Sequence, residues 1–148
     1  MREWVLLSYR LPREPSTPRI ALWRRLRRLG ALQLGDGLAG LPLDDDSLEQ
    51  CNWLATEVED AGGEATVWTA QPSSKAEADA LRQRLAQTAA ADYRAIVEAS
   101  EAASGRRAAL RLQRALRAIQ ARDRVRPPER TDAERAVQQL LGREAASR

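Results

Sequence analysis

The sequence has 148 residues, enough for one ordinary domain with a real hydrophobic core. It carries 24 lysines and arginines against 21 acids, and Lys75 is the only lysine. Histidine is absent and Cys51 is the only cysteine, which excludes a Cys/His zinc site, a Ser-His-Asp triad and an intrachain disulfide. We therefore do not expect this chain to be an enzyme or to hold a metal or a cofactor.

The strong preference for arginine has two interpretations. A GC-rich genome favours arginine codons, and it would also explain the many alanines. Alternatively, guanidinium groups are selected because they bind phosphates, carboxylates and other oxyanions well. The charge is uneven along the chain, since residues 1–72 hold eight arginines against 11 acids and residues 73–148 hold 16 cations against 10 acids.

The first half of the chain reads as an alternation of strands and helices. Residues 4–9 are apolar and β-prone and predict a buried strand. Ser16-Thr17-Pro18 caps a following helix, whose apolar residues repeat at helical spacing until Gly30 ends it. Leu22, Trp23, Leu26 and Leu29 fall on one side of this helix, while Arg24, Arg25 and Arg28 fall on the other.

A hairpin and a second helix come next. Segments 31–34 and 38–43 flank Gly35-Asp36-Gly37, which favours a tight reversal. Asp44, Asp45 and Asp46 suit the positive end of a helix that runs to about Ala61, so we interpret them as capping residues and not as metal ligands. Residues 64–70 predict a fourth strand.

The resulting order β-α-β-β-α-β is the pattern of ferredoxin-like folds, in the α+β class. We predict this core over residues 1–72 and a mostly helical extension over residues 73–148, packed on the core or projecting from it. Helices are expected from about Ser74 to Arg124 with a break near Ser104-Gly105. Thr131 to Glu134 resembles a capping box, and it predicts a short last helix to about Leu141, with a frayed end from Gly142.

The strongest candidate for chemistry is the stretch 106–126, which holds eight arginines and the single acid Asp123. On a helix, Leu112, Leu116 and Ile119 would share one side. The opposite side would carry a stripe of three cations, Arg107, Arg111 and Arg114. The stripe suits a phosphate-contacting surface. It is equally well explained as a solvated face paired with the acidic first half of the chain.

A second cluster lies on the first helix, at Arg24, Arg25, Arg27 and Arg28. It could bind phosphates or simply keep the surface soluble. The four tryptophans occupy apolar-face or strand positions, so we interpret them as core residues, with Trp53 the most exposed. Cys51, one turn from Leu48, is interpreted as a small core residue.

The motifs of the N-terminal half resemble the N-terminal domain of the chromate-resistance protein ChrB. The similarity rests on residues 4–12, on the segment from Trp23 to Ala31 that reads W-R-R-L-R-R-L-G-A, on Leu41-Pro42, on Trp53-Leu54 and on residues 62–65. A more distant similarity links the same region to the middle domain of the phenylacetate-operon repressor PaaX.

The resemblance implies a bacterial cytoplasmic regulator of chromate resistance that binds the DNA of its operon. It also marks Arg24, Arg25, Arg27 and Arg28, the arginines of the segment from Trp23 to Ala31, as candidate contacts to DNA or to an oxyanion. Full-length members continue into a second domain, and this sequence ends at Arg148. We therefore expect a stand-alone member, an excised domain or one half of a split pair.

Three functions follow as hypotheses. The first is DNA binding through the two arginine clusters, although no helix-turn-helix is readable. The second is a pocket for chromate or a similar oxyanion, which predicts guanidinium groups that converge in one cavity. The third is a helical scaffold that pairs with a copy of itself or with a separate C-terminal domain. The start of the chain has no apolar run of signal-peptide length, and no later segment is long enough to span a membrane, so we expect a cytoplasmic protein.

Overall fold

Four strands and five helices follow one another in residues 3–147, the part of the chain that the computed structural model describes. The strands are β1 (Trp4–Arg10), β2 (Leu32–Gly35), β3 (Leu38–Pro42) and β4 (Glu64–Ala70), and the helices are α1 (Thr17–Leu29), α2 (Asp45–Asp60), α3 (Lys75–Ala102), α4 (Arg106–Arg122) and α5 (Glu129–Ala146). The expected mixture of a strand-containing first half and a helical second half is confirmed. Residues 1, 2 and 148 of the predicted domains lie outside the described residues.

The four strands form one antiparallel sheet in the order β2-β3-β1-β4. Strand β3 therefore separates β1 from β2, and β1 separates β3 from β4. The hairpin between β2 and β3 turns at Asp36-Gly37, where Gly37 has φ +75°. A side chain there would collide with the Tyr9 carbonyl, so this glycine allows the turn to lie against β1.

Helices α1 and α2 cover one face of this sheet. Leu7 of β1 packs with Leu22 and Leu26 of α1 and with Leu54 and Val58 of α2. A neighbouring part of the same core contains Val5, Leu41 and Cys51. The structure thus confirms the buried stripe of α1 and the interpretation of Cys51 as a core residue.

The ends of α1 and α2 follow the predicted local chemistry. Gly30 ends α1 in the left-handed conformation, with φ +78°. The Asp44 side chain accepts a hydrogen bond from the Ser47 amide at 2.7 Å, and the Ser47 hydroxyl lies 2.9 Å from the Asp44 amide that donates to it. This reciprocal cap explains Asp44 as a structural residue.

The chain divides into two compact units, Met1–Arg82 and Gln83–Arg148, so the division falls within α3. The core of the second unit is built by Tyr93 and Ile96 of α3, Leu116 and Ile119 of α4, and Val137 of α5. The break predicted near Ser104-Gly105 is confirmed, because α3 ends at Ala102 and α4 begins at Arg106.

The prediction for the last helix is wrong at both ends. Helix α5 begins at Glu129, two residues before the supposed cap at Thr131, and it continues past Gly142 to Ala146. Its start directly follows Pro127 and Pro128. Since proline already fixes φ near its helical value, it can begin a helix without a side-chain cap.

Two of the four tryptophans contradict the prediction that they are core residues. Trp23 and Trp68 are each 53% exposed, whereas Trp4 is buried and Trp53, as expected, is exposed. Trp23 lies at the edge of the α1 stripe, one residue beyond Leu22. Trp68 faces the side of the sheet opposite to its neighbour Val67, which packs against the helices.

Candidate anion-binding surfaces

Two of the four α1 arginines that were predicted to bind anions contact other side chains of the first unit. Arg25 donates to Glu57 of α2 at 2.6 Å, and its side chain is only 33% exposed. Arg25, predicted on the side of α1 opposite to the apolar stripe, is thus partly buried against α2 and less exposed than that position suggested. The guanidinium of Arg27 lies 5.0 Å from the centre of the Trp23 ring, which is within cation–π range.

The other two arginines of α1, Arg24 and Arg28, are exposed. They occur at a spacing of four residues and so lie one turn apart on the same side of the helix. Neither forms an ion pair or a hydrogen bond with the described residues of the first unit. They are the members of this cluster that remain available to an external anion.

Helix α4 carries a continuous cationic face. Its three predicted residues Arg107, Arg111 and Arg114 are exposed, as are the flanking Arg106 and Arg117. At 100° per residue these five side chains occupy one side of the helix. We call these five residues the outer face of α4.

The opposite side of α4 is apolar. Ala109, Leu116 and Ile119 are buried, and Leu112 packs beside them. The predicted pairing of an apolar side with an arginine stripe is confirmed. No acidic residue occurs in α4, and within the described part of the second unit the outer face forms no ion pair or hydrogen bond.

The end of the arginine-rich stretch is structural instead. Arg122 donates to Asp92 of α3 at 2.9 Å, and both side chains are about two-thirds buried or more. Arg124 donates to the carbonyl of Arg122 at 3.4 Å. Of the eight arginines of the stretch, five form the outer face, Arg122 pairs with another helix, and Arg124 and Arg126 lie in the connection that follows α4.

Asp123 organises the connection that follows α4. Its carboxylate is 1% exposed and accepts hydrogen bonds from the Tyr93 hydroxyl at 2.7 Å and from the Arg130 guanidinium at 3.4 Å. It also accepts from the amides of Val125 and Arg126, each at 2.9 Å. A single carboxylate therefore links α3, the α4–α5 connection and α5.

The two titratable groups of this cluster have pKa values that are shifted in opposite directions. Burial raises the pKa of the Asp123 carboxyl, but hydrogen bonds from Tyr93 and the two amides outweigh it, so the pKa lies below its ordinary value. Burial, together with the hydrogen bond to Asp123 and the charge of Asp123, raises the pKa of Tyr93 well above 10.0. Both shifts favour the same pair, an ionised Asp123 and a neutral Tyr93.

Sequence reasoning missed this cluster. Asp123 was visible only as the single acid among eight arginines, and Tyr93 as one residue of a long helix. The one available signal was that an acid directly after α4, before two prolines, can accept backbone hydrogen bonds in the loop.

An open groove of about 900 Å³ lies in the first unit, where β1 ends. It is bounded by the β1–α1 loop, the first turns of α1 and the β2–β3 hairpin. Cationic and aromatic side chains line it, among them Arg10, Arg13, Arg19, Tyr9 and Trp23. Sequence reasoning missed it because its residues come from two stretches that are separated in the sequence, 9–23 and 33–37.

A smaller cavity of about 190 Å³ lies in the second unit. Arg135 and Arg143 line it together with the acids Glu101 and Asp132. The Ser100 hydroxyl, which also lines it, is buried without a hydrogen-bond partner among the described residues. The equal number of cations and acids makes this cavity a poor site for a dianion.

The described residues were also searched for metal ligands and for membrane-spanning helices. In residues 3–147, no group of three or more acidic, cysteine or histidine side chains is placed to hold a metal ion. Within the same residues, no helix has the length and apolar character needed to cross a membrane.

Residues 19–104 match the family model described as Protein ChrB, N-terminal. The chain belongs to this ChrB N-terminal family. Comparisons with curated proteins and with solved structures found no match. Membership associates the chain with the regulation of chromate resistance.

The ChrB match includes the motifs from Trp23 to Ala65 but is shifted toward the C-terminus relative to the region that the motifs indicated. It begins at Arg19 within α1, not at the start of β1, and it extends through α3 to Ser104. The α1 arginines therefore lie inside the matched region. The outer face of α4 begins at Arg106, two residues beyond its end.

Proposed function

We propose that this ChrB-family chain is a non-enzymatic, cytoplasmic regulatory protein of chromate resistance that binds DNA through phosphate contacts. The observation that carries the proposal is the outer face of α4, with its five exposed arginines on a helix that contains no acid. Arg24 and Arg28 of α1 supply a second set of available cations.

The electrostatics of the outer face support an anionic partner. Like charges at spacings of three and four residues on a helix repel each other, and no acid among residues 83–147 forms an ion pair with these arginines. A phosphate backbone would remove this repulsion and release its condensed counterions. Arginine is also well suited to the task, because its planar fork can donate two hydrogen bonds to one phosphate.

The chromate hypothesis receives less support from the geometry. It predicts guanidinium groups that converge in one cavity, and the outer face of α4 is instead an open stripe. The groove of the first unit does bring Arg10, Arg13 and Arg19 together, but its volume of about 900 Å³ is far larger than one small oxyanion. The cavity of the second unit holds as many acids as arginines. We therefore propose phosphate binding first, and keep oxyanion binding and helical pairing with a second domain as alternatives.

For the fold of the first unit we propose the ferredoxin-like type. In support, each helix connects two parallel strands that are separated by a strand of the other half. The long α3 and the helical second unit are additions to that pattern.

Binding is tested by fluorescence anisotropy with labelled duplex DNA from a chromate-resistance promoter, titrated at several salt concentrations. We expect the logarithm of the binding constant to fall linearly with the logarithm of the salt concentration. In the variant R107Q/R111Q/R114Q, the slope should become shallower by roughly 2.7, since each lost phosphate contact contributes about 0.9.

The matched control is R82Q/R135Q/R143Q, which removes the same charge from exposed positions on α3 and α5. We expect it to retain most of the wild-type slope. Equal losses in the two variants would attribute binding to net charge alone. A binding constant that does not respond to salt would contradict the proposal.

A further inference from the structure

Trp23 is exposed in a way that its own helix does not explain. Leu22 and Leu26 of α1 are at most 5% exposed, yet the Trp23 ring is 53% exposed and Ile20, one turn earlier, is 47% exposed. Exposed apolar area of this size costs hydrophobic free energy. Adjacent exposed apolar side chains therefore indicate a surface that a ligand covers.

The orientation of the Trp23 ring is supported from one side. The Arg27 guanidinium stands over the ring at 5.0 Å from its centre. The ring also lines the groove at the end of β1, together with Ile20. The Trp23 indole, which contacts the Arg27 guanidinium and borders the groove, therefore offers a flat surface on which a planar group can stack.

The groove beside this ring is cationic. Arg10, Arg13 and Arg19 line it against one acid, Asp36. Arg10 pairs with Glu64 at 2.9 Å, but both side chains are about 80% exposed, so the pair is weak and open to exchange. Arg13 and Arg19 form no ion pair or hydrogen bond with the described residues of the first unit.

Polar groups occupy the hairpin side of the groove. The Tyr9 hydroxyl accepts a hydrogen bond from the Gln33 amide at 2.9 Å, which leaves its own proton able to reach a ligand. The backbone of Tyr9 is fixed in turn, because its amide donates to the Gly37 carbonyl at 2.8 Å. The hairpin thus holds a hydrogen-bonding edge opposite the Trp23 ring.

From these observations we infer that the groove binds a nucleotide unit, with a nucleobase stacked on Trp23 and its phosphate held by Arg13 and Arg19. The volume of about 900 Å³ lies within the range of small-molecule sites. The inference rests on the proposed binding of nucleic acid and extends it from phosphates to bases.

The same chemistry can come from a free nucleotide or from an unpaired base in a single strand. The open, basic character of the groove favours the strand, because single-stranded nucleic acid is bound by aromatic platforms within cationic grooves. In duplex DNA the base faces are covered by stacking. The groove therefore addresses a different form of nucleic acid from the arginine stripe of α4.

The experiment measures binding of three probes to the full chain: an oligothymidine of ten nucleotides, thymidine monophosphate and inorganic phosphate. In W23A, the affinity for the oligonucleotide should fall by about 5- to 150-fold, since stacking of one base contributes roughly 1–3 kcal/mol. W53A is the matched control, because Trp53 is equally exposed, at 59%, but lies on α2. R13Q/R19Q should also weaken binding and reduce its salt dependence.

A second readout reports on the ring itself. In the variant W53F/W68F, Trp23 is the one exposed tryptophan left among the described residues. Addition of oligonucleotide should quench its fluorescence, and phosphate alone should not. Tighter binding of the oligonucleotide than of thymidine monophosphate assigns the site to a strand, and equal binding assigns it to a free nucleotide. Equal behaviour of W23A and W53A, or the absence of quenching, would overturn the inference.

The failure of this inference is distinguishable from the failure of the proposed function. Loss of the α4 arginines should weaken duplex binding and leave the effect of W23A on the oligonucleotide intact. Duplex binding that survives in W23A, with no oligonucleotide binding in any variant, refutes the groove alone. Oligonucleotide binding that depends on Trp23, with no duplex binding, refutes the α4 surface alone.

Discussion

Helices α1 and α4 both carry clusters of arginine at helical spacing, but they use them differently. In α1, Arg25 pairs with Glu57 and Arg27 lies over Trp23. In α4, the five arginines of the outer face form no ion pair or hydrogen bond with residues 83–147, the described part of the second unit. The difference lies in the neighbours, since α1 packs beside an acidic helix and presents an aromatic ring. An arginine cluster in a sequence is therefore a candidate surface, and only its neighbours decide how many of its charges are available.

The largest expected effect is on the stability of the second unit, which carries α4, and it is expected from D123A. Removal of the buried carboxylate leaves Tyr93 and Arg130 without their shared partner, and loss of one member of a buried pair costs about 3 kcal/mol. Denaturant unfolding followed by circular dichroism measures the loss in free energy. The control D132A removes an exposed acid whose contact to Arg135 is 3.9 Å long, and it should change stability by less than about 0.5 kcal/mol. Equal effects of the two variants would show that Asp123 does not hold α4 in place.

The next effect is a loss of stability at alkaline pH. Because the pKa of Tyr93 is raised in the folded state, the stabilisation is complete below about pH 10 and is lost as the pH rises above it, by about 1.4 kcal/mol per pH unit. Unfolding free energies measured between pH 8 and 11.5 test this. In Y93F the slope above pH 10 should be smaller, and an unchanged slope would contradict the assignment.

Acid should act on the same cluster through its other member. The pKa of Asp123 is lowered, so its contribution is present above the unfolded value of about 3.9 and is lost as the pH falls below it. Unfolding measured from pH 5 to pH 2 should show a weaker dependence in D123N than in the wild type. The same acid dependence in both would place the effect elsewhere.

Two variants, R24Q/R28Q and R25Q, test whether the available arginines of α1 differ in function from the paired one. The double variant removes the two available cations and should reduce the salt slope of duplex binding by about 1.8. R25Q should leave that slope nearly unchanged and instead lower stability by less than about 1 kcal/mol, the range of partly exposed ion pairs. A larger effect of R25Q on DNA affinity would reverse the distinction drawn between these arginines.

Much of the fold was predictable because its signals are local. Gly30, the acidic start of α2 and the alternation in residues 64–70 each mark an element boundary or a strand, and all were placed correctly. The start of α5 was not, because Thr131 and Glu134 imitate a cap while Pro128 begins the helix. Both the apparent cap and the proline are valid signals for a helix start, and the sequence alone does not show which of them begins the helix.

The candidate surfaces were predictable only in part. Three of the five residues of the outer face of α4, Arg107, Arg111 and Arg114, followed from helical periodicity, since a helix fixes which residues share a side. The groove at the end of β1, the contact of Arg25 with Glu57 and the cluster around Asp123 depend on residues that are distant in sequence. Periodicity contains no information on such pairs. Trp23 shows the same limit, because a residue at the edge of an apolar stripe is buried or exposed according to what packs beside the helix.

The opposite pKa shifts of Asp123 and Tyr93 have a consequence for how this protein could be controlled. The chain has no histidine, the side chain that ordinarily titrates between pH 5 and 8, and this buried pair keeps one charge state across that interval. A change of pH within that interval should therefore leave the charge state of this pair unchanged, and with it the link that Asp123 makes between α3, the α4–α5 connection and α5. For the proposed phosphate-binding surface, ionic strength and competing polyanions are instead the variables expected to change its occupancy.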